Sequence, residues 1–346
     1  MALPMNSRRH FFKQLAGEIA RGVQEVTAPS TPQVAPTPPP EPHASPVAPA
    51  PLETATPTER GATLDELLTL AEAVGLGARH EAIRTLARAS VRLTPAGPDT
   101  PLAVGGSRLG GAPDLPEGTS WPHWRGLPLT FRVQLDLAKV AGALAGGGGE
   151  PVAFPIEGTL ACFSAAEPPD GMRPDHMGAC AALLTAPVAD VDVGYGQPAV
   201  LSRELVLPRV WAAPVAALEL DPAEQEAWSE LRSRLATSQG VEPADEATDR
   251  EAPHRLLGYP DERRGEMPLA CALLAEGLDP AGEAPALHPR ARALEPSAAR
   301  WRLLFQLVLD DRIGWHWGKR RERLYVWVHE DDLAAGGLSR LRAFVQ

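Results

Sequence analysis

"SRLGGAPD" at Ser107–Asp114 is nearly repeated as "HRLLGYPD" at His254–Asp261. Both phrases place an Arg, at least one Gly and then Pro-Asp at the same spacing. Gly permits a left-handed backbone and Pro-Asp favours a rigid turn, so each phrase predicts a tight turn. One such phrase is a weak signal, and its meaning depends on the segments that come after each copy.

Two strand-like segments come after each phrase in the same order. The matched pairs are Leu129–Leu137 with Arg302–Asp310, and Gly158–Phe163 with Arg323–Val328. Three matched segments in one order indicate an internal duplication. The sequence therefore predicts two related halves, at about 90–200 and 240–346.

The longer matched pair aligns when Gln134 is set against Gln306. Alternation then predicts one apolar face in each strand, with the Gln on the other face. The apolar positions are Phe131, Val133, Leu135 and Leu137 in the first copy and Leu303, Phe305, Leu307 and Leu309 in the second. A buried amide needs hydrogen-bond partners. Each amide either ties its strand to the neighbouring Arg-Gly turn, or both line a cleft where the halves meet.

Two roles are open for the charged residues of the repeated phrases. Arg108 and Arg255 either pair with Asp114 and Asp261 as buried structural ion pairs, or bind a carboxylate or phosphate bidentately. We expect structural pairing first, with anion binding as the alternative.

The strand-rich region is dense in Trp, and core packing is the first explanation. Trp315 and Trp317 differ from the others because they fall in a predicted turn. An exposed pair of indoles there would form a recognition surface.

Composition narrows the function classes. The net charge of −11 argues against nucleic-acid binding, which draws its affinity from clustered cations. The three Cys are widely separated and form no CxxC, so they predict neither a disulfide framework nor a thiolate metal site. No apolar run is long enough to span a bilayer. No nucleophile motif, phosphate loop, dinucleotide fingerprint or metal-ligand spacing is present, so we expect no catalytic residue, metal or cofactor.

The N-terminal residues favour two alternatives. "SRRHFFKQLAG" at Ser7–Gly17 resembles the twin-arginine export motif, but Glu18 and Arg21 interrupt the hydrophobic stretch that an export signal needs. The same region, residues 1–27, predicts an amphipathic helix that contacts a partner or a membrane surface. Residues 28–59 are rich in Pro and Ala and predict a disordered linker. We expect a cytoplasmic protein, with export as the alternative.

The sequence also indicates where two helices begin. Thr63 with Glu66, and Asp221 with Glu224, form capping boxes ahead of apolar periodic segments. They predict helices near residue 64 and near residue 222.

As an ordered set, these elements resemble the YwqG family, also called the DUF1963 domain. The matching stretches are "SRLGGAPDLP", Trp121–Pro122, "QLDL", "HRLLGYPD", "LLFQL", Trp317–Gly318 and "LYVWVHEDDL". The resemblance covers roughly residues 60–346. It implies an α+β fold with a duplicated strand-rich motif, in a bacterial family without an established biochemical role. Lys319, Arg263 and Val308 depart from the family pattern, which argues against a metal or acid–base role.

The sequence thus predicts an α+β domain over 60–346, with an internally duplicated strand-rich motif and a few packing helices. The predicted function is non-enzymatic binding of a protein or small molecule at the junction between the halves. The alternative is an enzyme that acts on a small anionic substrate in the same cleft. The candidate binding residues are Arg108, Asp114, Gln134, Arg255, Asp261, Gln306, Trp315 and Trp317.

Overall fold

The computed structural model describes most of the chain from residue 61 onward. The described ranges are 61–97, 99–145, 154–169, 173–187, 195–241, 252–262, 265–280, 285–308, 310, 313–315, 322–338 and 340–346. The helix predicted at 1–27 and the linker predicted at 28–59 lie outside them.

Eight α-helices occur in the described ranges. They are α1 Leu64–Ala73, α2 His80–Leu86, α3 Leu137–Leu144, α4 Ala213–Ala216, α5 Pro222–Ser238, α6 Met267–Ala275, α7 Ala291–Ala298 and α8 Glu330–Ala334. Both predicted capping boxes are present, Thr63 with Glu66 at α1 and Asp221 with Glu224 at α5. Their reciprocal hydrogen bonds satisfy backbone donors that the first helical turn leaves free, which fixes where each helix begins.

Ten of the twelve described strands form one antiparallel sheet, and the other two form a hairpin. The strands are β1 Arg88–Pro95, β2 Arg108–Leu109, β3 His123–Trp124, β4 Leu127–Pro128, β5 Thr130–Asp136, β6 Thr159–Ser164, β7 Cys180–Thr185, β8 Gln197–Val206, β9 His254–Leu257, β10 Trp301–Val308, β11 Arg323–His329 and β12 Arg342–Val345. The ends of the sheet approach each other, because Cys180 of β7 and Ala343 of β12 line one small cavity. The predicted α+β class is confirmed.

Strand order in the sheet is symmetric about its centre. It runs β12-β11-β10-β9-β1-β8-β2-β5-β6-β7, so four strands of each half flank the central β1–β8 pair in mirrored order. The two repeated phrases occupy matching places, since Arg255 in β9 lies opposite β1 and Arg108 in β2 lies opposite β8. This arrangement is what a duplication would produce. The duplication itself stays a prediction.

The predicted strand faces are wrong for Phe131 and Leu303. The register shifts between Phe131 and Val133 in β5, and between Leu303 and Phe305 in β10, so each strand carries a β-bulge just before its Gln. A bulge inserts one residue, which moves the residues before it to the opposite face. Phe131 and Leu303 therefore pack outside the sheet, while Val133 and Phe305 pack inside it. Of the other expected positions, Leu137 begins α3 and Leu309 lies outside the described residues.

The inner face of the curled sheet holds the largest apolar core, to which both halves contribute. Three groups of elements cover the outer face. Helices α1, α2 and α5 pack over β8, helices α6 and α7 over β10 to β12, and the β3–β4 hairpin region over β5 and β6. Trp228 anchors α5, because its buried indole N–H donates to Pro208 O at 2.9 Å. Within the described ranges, no helix has the length and apolarity that a membrane crossing needs.

The close packing of the first bend can be tested at Gly111, with Gly118 as the control. Gly111 has φ +79°, and a Cβ there would lie 1.8 Å from Tyr195 O; Gly118 has the same φ but nothing within 4 Å of its Cβ position. We expect Gly118→Ala to cost about 1 kcal/mol through backbone strain alone, and Gly111→Ala to cost at least about 2 kcal/mol more. Urea denaturation measures both. Equal losses would show that the close approach to Tyr195 does not constrain the bend.

Candidate functional site

The first phrase builds a closed cluster of Arg108, Asp114 and Gln134. The Arg108 guanidinium donates to the Asp114 carboxylate, and both side chains are fully buried. Gln134 Oε1 accepts the backbone N–H of Asp114 at 2.7 Å. Its Nε2 donates to Asp114 Oδ2 and to Gly106 O, each at 3.1 Å. The amide therefore ties β5 to the bend that follows β2.

The second phrase builds the same cluster from Arg255, Asp261 and Gln306. Arg255 Nη1 donates to Asp261 Oδ2 at 2.7 Å. Gln306 Oε1 accepts the Asp261 N–H at 2.6 Å, and Nε2 donates to Asp261 Oδ2 at 3.1 Å and to Pro253 O at 3.0 Å. Every contact has its counterpart in the first cluster. We call these groups the first and second Arg–Asp–Gln clusters.

The two clusters also have matching contacts outside their Arg, Asp and Gln residues. In each half the residue before the Arg binds the backbone N–H two residues after the Gln. The contacts are Asp136 N to Ser107 Oγ at 3.0 Å and Val308 N to His254 Nδ1 at 3.2 Å. Both bends also place two consecutive residues at positive φ. These repeated contacts support the duplication as a prediction, and they match the tying role for both amides.

The two clusters do not come together. Strands β1 and β8 lie between β9 and β2, so the clusters are separated by two strands of the sheet and do not line one cleft. The first cluster is sealed by backbone groups, because Gly105 N–H donates to Asp114 at 2.7 Å and Arg108 also donates to Ala103 O at 3.1 Å. Both charged side chains of the first cluster are thus fully buried and paired within the protein.

Charged neighbours distinguish the second cluster from the first. Arg255 Nε also donates to buried Glu204 at 3.2 Å, and Arg232 Nη2 lies 3.9 Å from Asp261 Oδ1. Burial by itself would raise the pKa of Asp261. The positive charges of Arg255 and Arg232, together with the hydrogen bond from Gln306, outweigh burial and hold that pKa well below its usual range.

A cavity of about 380 Å³ lies between α5 and strands β8 and β9, beside the second cluster. Its lining includes Glu204, Arg232, Leu235, Gln239, Arg255 and Asp261. Gln239 is fully engaged, since its amide bonds to Ala62, Leu205 and Leu235 and thereby holds α5 against β8.

Arg232 lines the cavity and uses only one of its guanidinium nitrogens in a hydrogen bond to a described residue. Its Nε donates to Leu207 O at 3.1 Å, which orients the guanidinium, and its side chain is 25% exposed. Its two terminal nitrogens make no hydrogen bond to any described residue. Burial lowers the pKa of Arg232 to about 10, opposed by Asp261. The group therefore stays cationic at neutral pH.

Glu262, next to the second cluster, is a buried carboxyl group. It is 7% exposed, and within the described ranges its Oε2 has no hydrogen-bond partner. Burial raises the pKa of Glu262 to about 7, although the nearby charges of Arg209 and Arg232 act in the opposite direction. Sequence reasoning missed Glu204, Arg232 and Glu262. No pattern marks them, because each becomes distinctive only through a neighbour distant in the chain.

Trp315 packs in the core, which is the first explanation for the Trp residues, and it does not form an exposed recognition surface. Trp315 is 4% exposed, and its ring packs edge-on against His254 with 5.3 Å between centroids. The turn folds back through the Asp310–Trp315 bridge, which directs the indole into the inner core beside Gly110. Trp317 lies outside the described residues. His254 itself is buried beside Asp310 at 3.4 Å.

Residues 107–346 match the profile of the DUF1963 family, described as a domain of unknown function. The match begins at the first repeated phrase and contains both clusters. The chain belongs to the DUF1963 family. No curated protein matches the chain. Strand β1 precedes the matched DUF1963 region, yet it lies between β8 and β9 in the sheet. Within the described part of this DUF1963 protein, no group of three or more His, Cys, Asp or Glu is placed to hold a metal ion.

Removing each cluster Asp of the DUF1963 domain is expected to have unequal effects. Asp114→Ala leaves Arg108 buried without its carboxylate and should cost about 3 to 5 kcal/mol. Asp261→Ala should cost less, because Arg255 keeps Glu204 at 3.2 Å. Urea denaturation of both variants gives the comparison. A larger loss for Asp261→Ala would contradict the role assigned to Glu204.

Because of Glu262, we expect the free energy of unfolding of the domain to depend on pH. Its folded-state pKa of about 7 lies above the ordinary value of 4.5, so between these pH values the folded state keeps a proton that the unfolded state has lost. Stability should therefore fall as pH rises from about 4.5 to 7. We expect Glu262→Gln to gain about 1 to 3 kcal/mol relative to the parent between pH 5 and pH 8.

The control for this experiment is Glu226→Gln, at an exposed position on α5. Urea denaturation at both pH values should show no comparable gain for that variant. A pH-independent difference between Glu262→Gln and the parent would contradict the assignment.

Proposed function

We propose that this DUF1963 domain is a non-enzymatic binding module that takes a small anionic ligand in the cavity between α5 and strands β8 and β9. The observation that carries the proposal is the Arg232 guanidinium, which lines the cavity and has terminal N–H groups without a hydrogen bond to any described residue. A partly buried guanidinium with free donors is the usual anchor for a carboxylate or phosphate.

The dimensions of the cavity support a small ligand. A volume of about 380 Å³ falls at the lower end of the range of small-molecule sites. Apolar lining residues such as Leu235, Ala236 and Val241 lie beside the charged groups. The ligand we expect therefore has one anionic end and a short apolar body.

The second cluster supports this site by positioning rather than by contact. Arg255 already donates hydrogen bonds to Glu204, Asp261 and Tyr259 O, so few of its N–H groups remain for a ligand. Asp261 lies 3.9 Å from Arg232, which limits where the guanidinium can move. The proposal thus moves the site from the junction of both clusters to the second cluster alone.

The enzyme alternative needs a group that can transfer a proton to or from the ligand. Glu262 has a pKa near neutrality, but it is not among the described residues that line the cavity. The lining hydroxyl of Ser229 donates to Gln225 O in its own helix at 3.0 Å. Neither residue forms a nucleophile–base pair there, so binding is the better-supported function.

The remaining expectations on location and partners are proposals as well. We propose a cytoplasmic bacterial protein, with export by the twin-arginine-like motif at Arg8 and Arg9 as the alternative. The partner is a small molecule or a protein that presents an anionic group, rather than a nucleic acid.

The test compares two Arg residues of α5. Arg232 lines the cavity, whereas Arg234 is half-exposed and pairs with Glu230 at 2.7 Å. Calorimetric titration with hexanoate should show binding to the parent and to Arg234→Ala. Binding to Arg232→Ala should be at least about tenfold weaker, equivalent to about 1.4 kcal/mol.

Methyl hexanoate is the ligand control, because it keeps the apolar body and lacks the charge. Equal binding of acid and ester, or equal affinity of the two Arg variants, would contradict an anion site at Arg232. Recovery of a chemically altered small molecule after incubation with the protein would favour the enzyme alternative.

A further inference from the structure

Two of the three Cys residues face each other inside the sheet. Cys162 in β6 and Cys180 in the adjacent β7 have their Sγ atoms 3.9 Å apart, and both belong to the inner core. In the β6–β7 register, Cys162 lies opposite Ala182 and Cys180 lies opposite Ser164, so the two Cys are diagonal neighbours. The third thiol, Cys271, lies in α6 in a different core cluster.

The equivalent positions in the second half carry no reactive group. Equivalence follows from the strand registers, in which Cys162 pairs with Val133 as Val326 pairs with Phe305. The residues equivalent to Cys162, Cys180 and Arg132 are Val326, Leu341 and Leu304. At these three positions the second half packs aliphatic side chains, whereas the first half has two thiols and a guanidinium. Packing alone does not require that difference.

Arg132 supplies a positive charge beside the thiols. Its guanidinium is buried and donates to Ser164 Oγ at 2.8 Å and to Ala165 O at 2.9 Å. Burial lowers the pKa of Arg132 to about 10, and the charges that Cys162 and Cys180 would carry act against that change. The positive charge of Arg132 favours the thiolate form of Cys180.

Access to the pair depends on β7. The contact with Cys162 and burial raise the pKa of the Cys180 thiol well above its usual value, so in the closed fold Cys180 is protonated. Among the described strands, however, β7 is the last of the sheet and has a hydrogen-bonded neighbour on one side only. Local opening of such an edge strand costs less than global unfolding, and it exposes Cys180 to solvent.

We propose that Cys162 and Cys180 are an oxidisable dithiol that closes to a disulfide between β6 and β7. The co-reactant is a low-molecular-weight disulfide. The Cys180 thiolate attacks one sulfur of that reagent and releases the first thiol. The Cys162 thiolate then attacks Cys180 Sγ and releases the second. One S–S bond of the reagent is exchanged for one in the protein, and the two protons of the Cys pair end on the two released thiols.

Closing the bond requires movement of the backbone as well as the side chains. The Sγ atoms must come from 3.9 Å to about 2 Å. Diagonal neighbours of an antiparallel pair have Cα atoms about 7–8 Å apart, so β7 must shift towards β6 to reach disulfide geometry. The product links the terminal strand of the sheet to its neighbour. It therefore resists opening of β7 and restricts the unfolded chain between the two residues.

The experiment uses the full chain in glutathione buffers of increasing oxidised fraction, followed by acid quenching. We expect the free thiols to fall from three to one and the intact mass to fall by two hydrogen atoms. Peptide mapping should then find Cys162 linked to Cys180. Cys271→Ala should retain this change, and Cys162→Ala should abolish it.

The parent protein alone can overturn the proposal, so a variant that fails to fold does not leave it undecided. It is wrong if all three thiols survive full oxidation in the folded protein but react in urea. It is also wrong if Cys180 stops at a glutathione adduct, or if the bond that forms includes Cys271.

Discussion

The ion pair between a buried Arg and the Asp six residues later is the constraint on which the rest of the fold depends. In each cluster a guanidinium inside the protein must be matched by a carboxylate, since an unpaired charge there would be prohibitively costly. The Asp can reach the Arg only if the intervening bend reverses the chain, which requires positive φ at two residues. The Gln of the neighbouring strand then binds the same Asp, so strand, bend and partner strand are fixed together.

The two clusters differ in what surrounds the ion pair. Backbone groups surround the first cluster, whereas charged side chains surround the second. Around the first cluster the chain closes through Gly105 and Ala103. In the second cluster, Arg255 contacts Glu204 and Asp261 lies near Arg232, both from distant elements. The cavity under α5 lies beside these charged groups, so the two similar clusters have different surroundings.

The sequence predicts correctly features that occur in both repeated segments. The Arg–Asp pairs, the amide contacts of Gln134 and Gln306 and the α+β class could be read from matched spacing. The bulges were not readable, because Phe131 and Leu303 obey simple alternation in sequence and only a register shift moves them to the other face. Arg232 and Glu204 carried no signal for a related reason, as their meaning comes from tertiary neighbours. Core packing, the first explanation for the Trp residues, holds for Trp315 even though this residue follows a turn.

The place of β1 has a consequence for where this domain begins. The family match starts at Ser107, but the strand that joins the two halves, Arg88–Pro95, comes earlier in the chain and bonds to β8 on one side and β9 on the other. A fragment cut at the start of the match would leave two long rows of unpaired backbone groups in the middle of the sheet. Such edges invite pairing between molecules. We therefore expect that a fragment must include β1 to fold on its own.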